Sequence, residues 1–334
     1  MKRVITVSRY TDVPAFYGSW FMNRVAEGFA GWAPSGGPRQ LVSLRREDVL
    51  VFVFWSRNYR PFLMHLRKLR ELHYPCLFHI SITVLPPELD RGTMAPEHIV
   101  DATKQIAAWF SPGQVVWRYE PILVTERTPP DYHVHLFTRL ASALRGSVSG
   151  VQIRFLVRNR ENEINCQRYE RETGLELLEL PEGERRALAR RLAAIAAWHG
   201  MPLRACCDPT LVGGPVQPGC CLNRDLLARI GGEPDWAGEP GNRQAGCGCV
   251  ASVDIGAAGT CPHGCFHCLD TVNKPRAALA YRKHAACSAF LDLSKAESDR
   301  VVGEVRASEQ GGCLPAPGRQ GAPGTATGSS PASS

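Results

Sequence analysis

The sequence predicts an α/β fold: a parallel sheet with covering helices, open or closed into a TIM-like barrel. Three observations carry this. Apolar, β-branched runs recur along the chain and read as buried strands. Amphipathic helical stretches separate most of them. Helix starts recur about every 35 residues, the length of a βα unit, and such alternation calls for parallel pairing.

The expected strands cover residues 4–8, 49–55, 76–83, 115–118, 150–156, 203–207 and 250–255. The expected helices cover 59–72, 96–109, 132–144 and 182–198. The last is the clearest, because Leu188, Leu192, Ile195 and Trp198 recur at helical spacing and Gly200 follows as a stop. Residues 209–248 differ, being rich in Gly, Pro and Cys, with one short helix expected near 223–230. From about residue 307 the chain turns to Gly, Pro, Ala and Ser, a composition that builds no core. The expected organisation is a β/α body over residues 1–205 and a Cys-rich insertion with an auxiliary metal site over 206–249. A strand, a cysteine loop and a helix follow over 250–300, with a disordered tail over 307–334.

The chain has 334 residues, enough for one large α/β domain or two smaller ones. No apolar run reaches the length of about 18 residues that a membrane span needs. The N-terminus is basic but lacks an apolar core of signal-peptide length. A cytoplasmic protein that does not enter the membrane is therefore expected. The net charge of +7 permits nucleic-acid contact without demanding it. The dense group Arg185, Arg186, Arg190 and Arg191 reads as a solvated helix face.

Thirteen cysteines are the unusual feature, and nine of them fall between Cys206 and Cys268. Such clustering in a reducing compartment favours metal ligation over disulfides. Cys261-Pro-His-Gly-Cys265-Phe-His-Cys268 places three thiols on one tight loop after an expected strand. Three thiolates can ligate three irons of a 4Fe–4S cubane and leave the fourth iron open. Structural zinc sites and ferredoxin clusters are closed by four ligands. A zinc site completed by His263 or His267, or a purely structural cluster, are the competing readings. Cys206, Cys221, Cys247 and Cys249 form a candidate second site for a 4Fe–4S cluster or zinc, with Cys207 and Cys220 as alternative ligands. Cys76, Cys166, Cys287 and Cys313 lack partners at useful spacing.

Polar residues cluster where strands are expected to end, which is where βα barrels place their chemistry. Ser8, Arg9, Thr11 and Asp12 follow the first strand, and Trp55, Ser56, Arg57 and Asn58 the second. Arg118, Tyr119 and Glu120 end a third, and Arg154 and Arg158 flank Phe155. Arg9, Arg57 and Arg118 either build a positive pocket for a carboxylate or phosphate or pair with Asp12 and Glu120.

The C-x3-C-x2-C spacing resembles that of the radical S-adenosylmethionine (SAM) superfamily. That resemblance implies a cluster whose open iron binds SAM, one-electron cleavage of SAM to a 5′-deoxyadenosyl radical, and hydrogen abstraction from a substrate. It also implies a reducing partner such as flavodoxin or ferredoxin. In most of that superfamily the motif lies near the N-terminus, after the first strand of a partial or full barrel. Its place here implies a circularly permuted barrel, with strand 250–255 first and strand 4–8 second. His267 stands where an aromatic residue usually precedes the third cysteine. The SAM-binding residues implied are Asp12, Arg118, Glu120 and His267. Gly231-Gly-Glu-Pro234 matches a SAM-amine motif by letter, but it precedes the cysteine loop and reads as coincidence.

Several segments together resemble a bacterial family, the domain of unknown function 1848. They are Ser8-Arg-Tyr-Thr-Asp-Val-Pro-Ala-Phe-Tyr17, Val53-Phe-Trp-Ser-Arg-Asn58, Val116-Trp-Arg-Tyr-Glu-Pro-Ile122 and Gly246-Cys-Gly-Cys-Val-Ala-Ser-Val-Asp-Ile-Gly256, followed by the cysteine motif. The Cys-rich C-terminal region and the Arg-Tyr-Glu-Pro strand also resemble the spore photoproduct lyase branch of radical SAM proteins, with Glu120 where Asp is usual there. Two further functions stay open on the residues alone. One is a zinc- or cluster-stabilised module that binds nucleic acid; the other is an electron-transfer protein with closed clusters. No G-x-S-x-G, H-E-x-x-H or Walker motif points to a hydrolase.

Overall fold

The computed structural model describes residues 2–34, 37–83, 85, 94–160, 162–232 and 247–311. The strands are β1 (Arg3–Val7), β2 (Phe29–Trp32), β3 (Gln40–Ser43), β4 (Val49–Ser56) and β5 (Cys76–Ser81). They continue with β6 (Val115–Ile122), β7 (Val151–Phe155), β8 (Leu203–Cys206), β9 (Val216–Gly219) and β10 (Val253–Asp254). The helices are α1 (Val13–Phe16), α2 (Gly18–Glu27), α3 (Leu63–Glu71), α4 (Pro96–Trp109) and α5 (Pro130–Leu144). After them come α6 (Glu163–Thr173), α7 (Glu182–Trp198), α8 (Arg224–Gly231), α9 (Lys274–Lys283) and α10 (Lys295–Gly311).

Eight strands form one sheet in the order β10-β1-β4-β5-β6-β7-β8-β9. Every neighbouring pair is parallel. Thus β10, the last strand in the chain, stands beside β1 in space. The sheet is compatible with the expected barrel-like arrangement; among the described residues no pairing joins the edge strands β9 and β10. β2 and β3 pair separately as a hairpin.

Alternation along the strands splits the sheet into two faces. In β6, Val115, Trp117 and Tyr119 join the large helix-side core, while Val116 joins a second cluster on the other face. Trp117 is fully buried and stacks on Phe137 of α5 at 4.6 Å between centroids. Its indole N–H donates to the Ile82 carbonyl at 3.0 Å. Phe21, Phe52, Phe54, Phe62 and Phe78 extend this core and are likewise fully buried. Each such side chain contributes about 1.5–3 kcal/mol of apolar burial.

The second face is covered by the Cys-rich segment. Leu222 and Leu227 pack there against Val4, Val51, Val53, Leu77 and Val116, with Cys249 in the same cluster. The short helix expected in that segment is α8, started by Asn223, whose side chain accepts from the Leu226 N–H at 2.9 Å. α10 runs to Gly311, into the stretch expected to be disordered; residues 312–334, including Cys313, lie outside the described residues. Among the described residues, no helix is long and apolar enough to cross a membrane.

Candidate functional site

The loop that follows β10 is fastened to the C-terminal end of β1. Asp254 accepts from the Ser8 hydroxyl with one oxygen and from the Arg9 N–H at 3.0 Å with the other. Gly256 passes so close to Ser8 that a Cβ there would lie 2.0 Å from Oγ, so only glycine fits. Thr11 and Thr260 both donate to the Ala257 carbonyl, at 2.8 and 2.7 Å. The buried Tyr17 hydroxyl donates to the Thr260 carbonyl at 2.7 Å.

Cys261, Cys265 and Cys268 follow, all half-buried. Gly264 takes φ +76°, which lets the chain turn between the first two. His263 Nε2 sits 2.7 Å from Asp12 Oδ2 and its ring meets Phe16 edge-on at 4.6 Å. The same Asp12 oxygen accepts from the Arg57 N–H at 2.9 Å, and the other caps α1 through the Ala15 N–H at 3.0 Å. Arg57 Nη1 donates to Cys265 Sγ at 3.0 Å. On the far side, Phe266 stacks on Tyr169 of α6 at 4.2 Å. The loop therefore reaches from the ends of β1 and β4 to the helix after β7.

Burial pushes the Cys261 thiol up to about 12, reinforced by the Asp12 charge. Burial and the neighbouring Cys265 also raise Cys268. Burial would lower His263, but its bond to Asp12 outweighs this and raises it. Burial thus favours the protonated form of Cys261 and Cys268, and a bound metal would deprotonate them.

The four residues expected to contact SAM occupy different settings. Both Asp12 oxygens already hold protein donors. Arg118 is 7% exposed on its side chain and pairs through Nε with Glu120 Oε1. It also donates from Nη1 to Gln152 Oε1 at 2.8 Å and to Cys221 Sγ at 2.9 Å. Glu120 Oε2 is buried with no hydrogen-bond partner among the described residues. His267 packs edge-on against Phe266. The three arginines of the expected positive pocket go to separate partners: Arg57 to Cys265, Arg118 to Glu120 and Cys221, and Arg9 to Ser252 at 3.0 Å. Arg158 is held by Glu163 and Glu170 of α6. In the arginine-rich helix, Arg185, Arg186 and Arg191 pair with Asp208, Glu182 and Asp131, as a solvated face does. Of the Gly-Gly-Glu-Pro letters, Gly231 ends α8, while Glu233 and Pro234 lie outside the described residues.

The second cysteine set also comes together. Cys206 Sγ lies 3.7 Å from Cys221 and 3.8 Å from Cys207, and Cys220 lies 4.0 Å from Cys249. Cys249 Sγ also accepts from the Leu222 N–H at 3.4 Å, next to Cys221 in the chain. The sulfurs touch one another: among the described residues no three His, Cys, Asp or Glu side chains surround one point as ligands of a single ion. His79 donates from Nε2 to the Cys221 carbonyl at 3.0 Å and stacks on Trp55 at 4.6 Å, with Arg9 over the other ring at 5.3 Å. Burial, aided by Arg118, lowers the His79 imidazole to about 3, so it is neutral. A cavity of about 630 Å³ opens beside this set, lined by Gln114, Gln152, Arg204, Cys220 and Asn223 among others.

Sequence reasoning missed the contacts that cross the chain. Asp12 meets His263 and Arg57 meets Cys265 across more than 200 residues, and no local pattern marks such pairs. His79 was legible only as one more strand residue.

No curated protein matches this sequence significantly. One solved structure with some likeness is the carboxyl transferase domain of Rhizobium etli pyruvate carboxylase. It is 12% identical, with a TM-score of 0.25, over 61% of this chain and 35% of that one. A likeness that low carries no argument about fold or chemistry. The family model described as Domain of unknown function (DUF1848) matches residues 4–269. That match takes in both cysteine sets, the strands that hold them and the Asp12 clamp, and the chain belongs to the DUF1848 family.

Proposed function

We propose that the protein is an iron–sulfur enzyme of the radical SAM type, on a permuted partial barrel. The observation that carries this is the setting of Cys261, Cys265 and Cys268. They share one short loop over the C-terminal strand ends, and His263, one of the two histidines that could complete a zinc site, has its Nε2 committed to Asp12. Three soft donors suit a cubane with one iron left to an exchangeable ligand, whereas a structural zinc takes four. The position of β10 beside β1 supports the permuted order.

The surrounding residues fit such a group. Arg57 offers an N–H to Cys265, the kind of contact that tunes a cluster's potential. Glu120 Oε2, near the end of β6 and without a hydrogen-bond partner among the described residues, is a buried acceptor suited to an amine or hydroxyl of SAM. When bound, the cluster supplies single-electron reduction of SAM, in service of hydrogen abstraction from an unactivated carbon. The chain's own part is to hold the loop rigid through Asp12, Thr11 and Tyr17 and to shield it by the Phe266–Tyr169 stack. Anaerobic reconstitution with iron and sulfide tests this. About four irons per chain and a brown chromophore, both lost in Cys265→Ala, are expected. Zinc alone, with no chromophore, would turn the reading to a zinc-stabilised binding module.

A further inference from the structure

We propose that the second cysteine set is a separate, closed zinc site centred on Cys206, Cys221 and Cys249, with its fourth thiolate from Cys207, Cys220 or Cys247. This inference does not depend on the radical SAM reading.

Six thiols come from three separate segments, and three short contacts join five of them: Cys206 to Cys207, Cys206 to Cys221 and Cys220 to Cys249, with Cys220 and Cys221 adjacent in the chain. The expected quartet of Cys206, Cys221, Cys247 and Cys249 is thus enlarged by Cys207 and Cys220. Chance burial of apolar cysteines does not account for the backbone. Adjacent side chains on a strand point to opposite faces. Cys207, just past β8, takes φ +54°, a left-handed conformation that a residue with a Cβ adopts at a cost. Its sulfur comes to lie beside that of Cys206.

Each contact has the length of one edge of a mononuclear thiolate site. Two thiolates bound to one zinc at 2.3 Å and at the tetrahedral angle stand about 3.8 Å apart. The contacts at 3.7, 3.8 and 4.0 Å match this edge. Among the described residues no three of these side chains yet surround one point, so binding would draw a third and a fourth sulfur in to the pair. Each ligating thiol would give its proton to solvent as it binds.

The shell around the sulfurs is polar and directed. Arg118, a buried cation, donates to Cys221 Sγ, and the Leu222 N–H donates to Cys249 Sγ at 3.4 Å. Burying a guanidinium against neutral apolar thiols gains little, whereas against zinc-bound thiolates it offsets their excess negative charge. Gln152 holds Arg118 and, through its amide, the Cys220 carbonyl at 3.1 Å. The cavity lined by Cys220 and Gln152 supplies a route of entry.

The test is zinc content of the full-length protein, purified with zinc, beside a Cys206→Ser/Cys221→Ser variant and a Cys261→Ala/Cys265→Ala/Cys268→Ala variant. The expected result is one tightly held zinc in the wild type and in the triple variant, and its loss in the double variant. Because the double variant can fail to fold, differential alkylation of the wild type with and without zinc is read by mass spectrometry. Zinc should protect Cys206, Cys221, Cys249 and one neighbour at least tenfold. No zinc, zinc lost only with Cys261, Cys265 and Cys268, uniform alkylation, or an iron chromophore that depends on Cys206 and Cys221 would each overturn the proposal.

Discussion

Replacing Asp12 with alanine should release the cysteine loop from the body of the fold. Three donors converge on this carboxylate, which is 7% exposed: the Ala15 N–H, the Arg57 N–H and His263 Nε2. Losing the cap of α1 costs about 1 kcal/mol. Leaving the His263 and Arg57 donors buried without an acceptor adds about 1.5–3 kcal/mol. Asp12→Ala should therefore lower the free energy of unfolding in urea by about 2.5–4 kcal/mol. Asp12→Asn keeps one oxygen for the cap and should cost roughly half as much. Labelling of Cys261 and Cys265 by a thiol reagent should be faster in Asp12→Ala, because Arg57 and His263 set the loop through this residue. A loss within about 0.5 kcal/mol, with unchanged labelling, would refute the clamp.

Three other perturbations follow from the same geometry. Burial lowers His133 to about 4, with Nε2 donating to the Leu123 carbonyl and Nδ1 accepting from the Tyr119 hydroxyl. The unfolded chain takes a proton below about pH 6.5 that the folded one refuses, so stability present above pH 6.5 falls by up to about 3 kcal/mol as pH drops to 4. In His133→Gln this part of the acid slope should vanish from urea titrations across that range. Gly256→Ala drives a methyl into Ser8 Oγ and Cβ, at 2.0 and 2.4 Å. It should lower stability by about 1–3 kcal/mol, and Ser8→Gly should recover part of that loss if the clash is the cause. Trp117→Ala empties a fully buried part of the helix-side core and should cost about 3–5 kcal/mol in the same assay; a cost below about 1 would mean the core had collapsed onto the gap.

The fold was largely legible where burial imposes a period. α4 and α7 fall on the expected residues, since Pro96 opens one and Gly200 follows the other. β4 through β8 follow the apolar runs to within a few residues. What the sequence hid is mostly polar or short. α6 buries only Asn165, Cys166 and Tyr169 and shows no apolar stripe. The β2–β3 hairpin depends on Gly31 lying against Phe290, a contact from the far end of the chain. β9 carries a proline and exposes two residues, Gln217 and Pro218, as an edge strand can. The cysteines announced themselves by clustering, but their surroundings did not. Arg118 looked like a ligand-binding residue because it ends a strand, yet it is bound to Glu120, Gln152 and Cys221. Position along the sheet was readable; the partner each group would find was not.

The most direct test of the central claim is electron paramagnetic resonance of the reconstituted, dithionite-reduced protein, with and without SAM. A reduced 4Fe–4S signal that SAM perturbs, retained in the Cys206→Ser/Cys221→Ser variant and absent from Cys265→Ala, is the result this account predicts. A cluster signal indifferent to SAM would contradict it and leave a closed electron-transfer centre in its place.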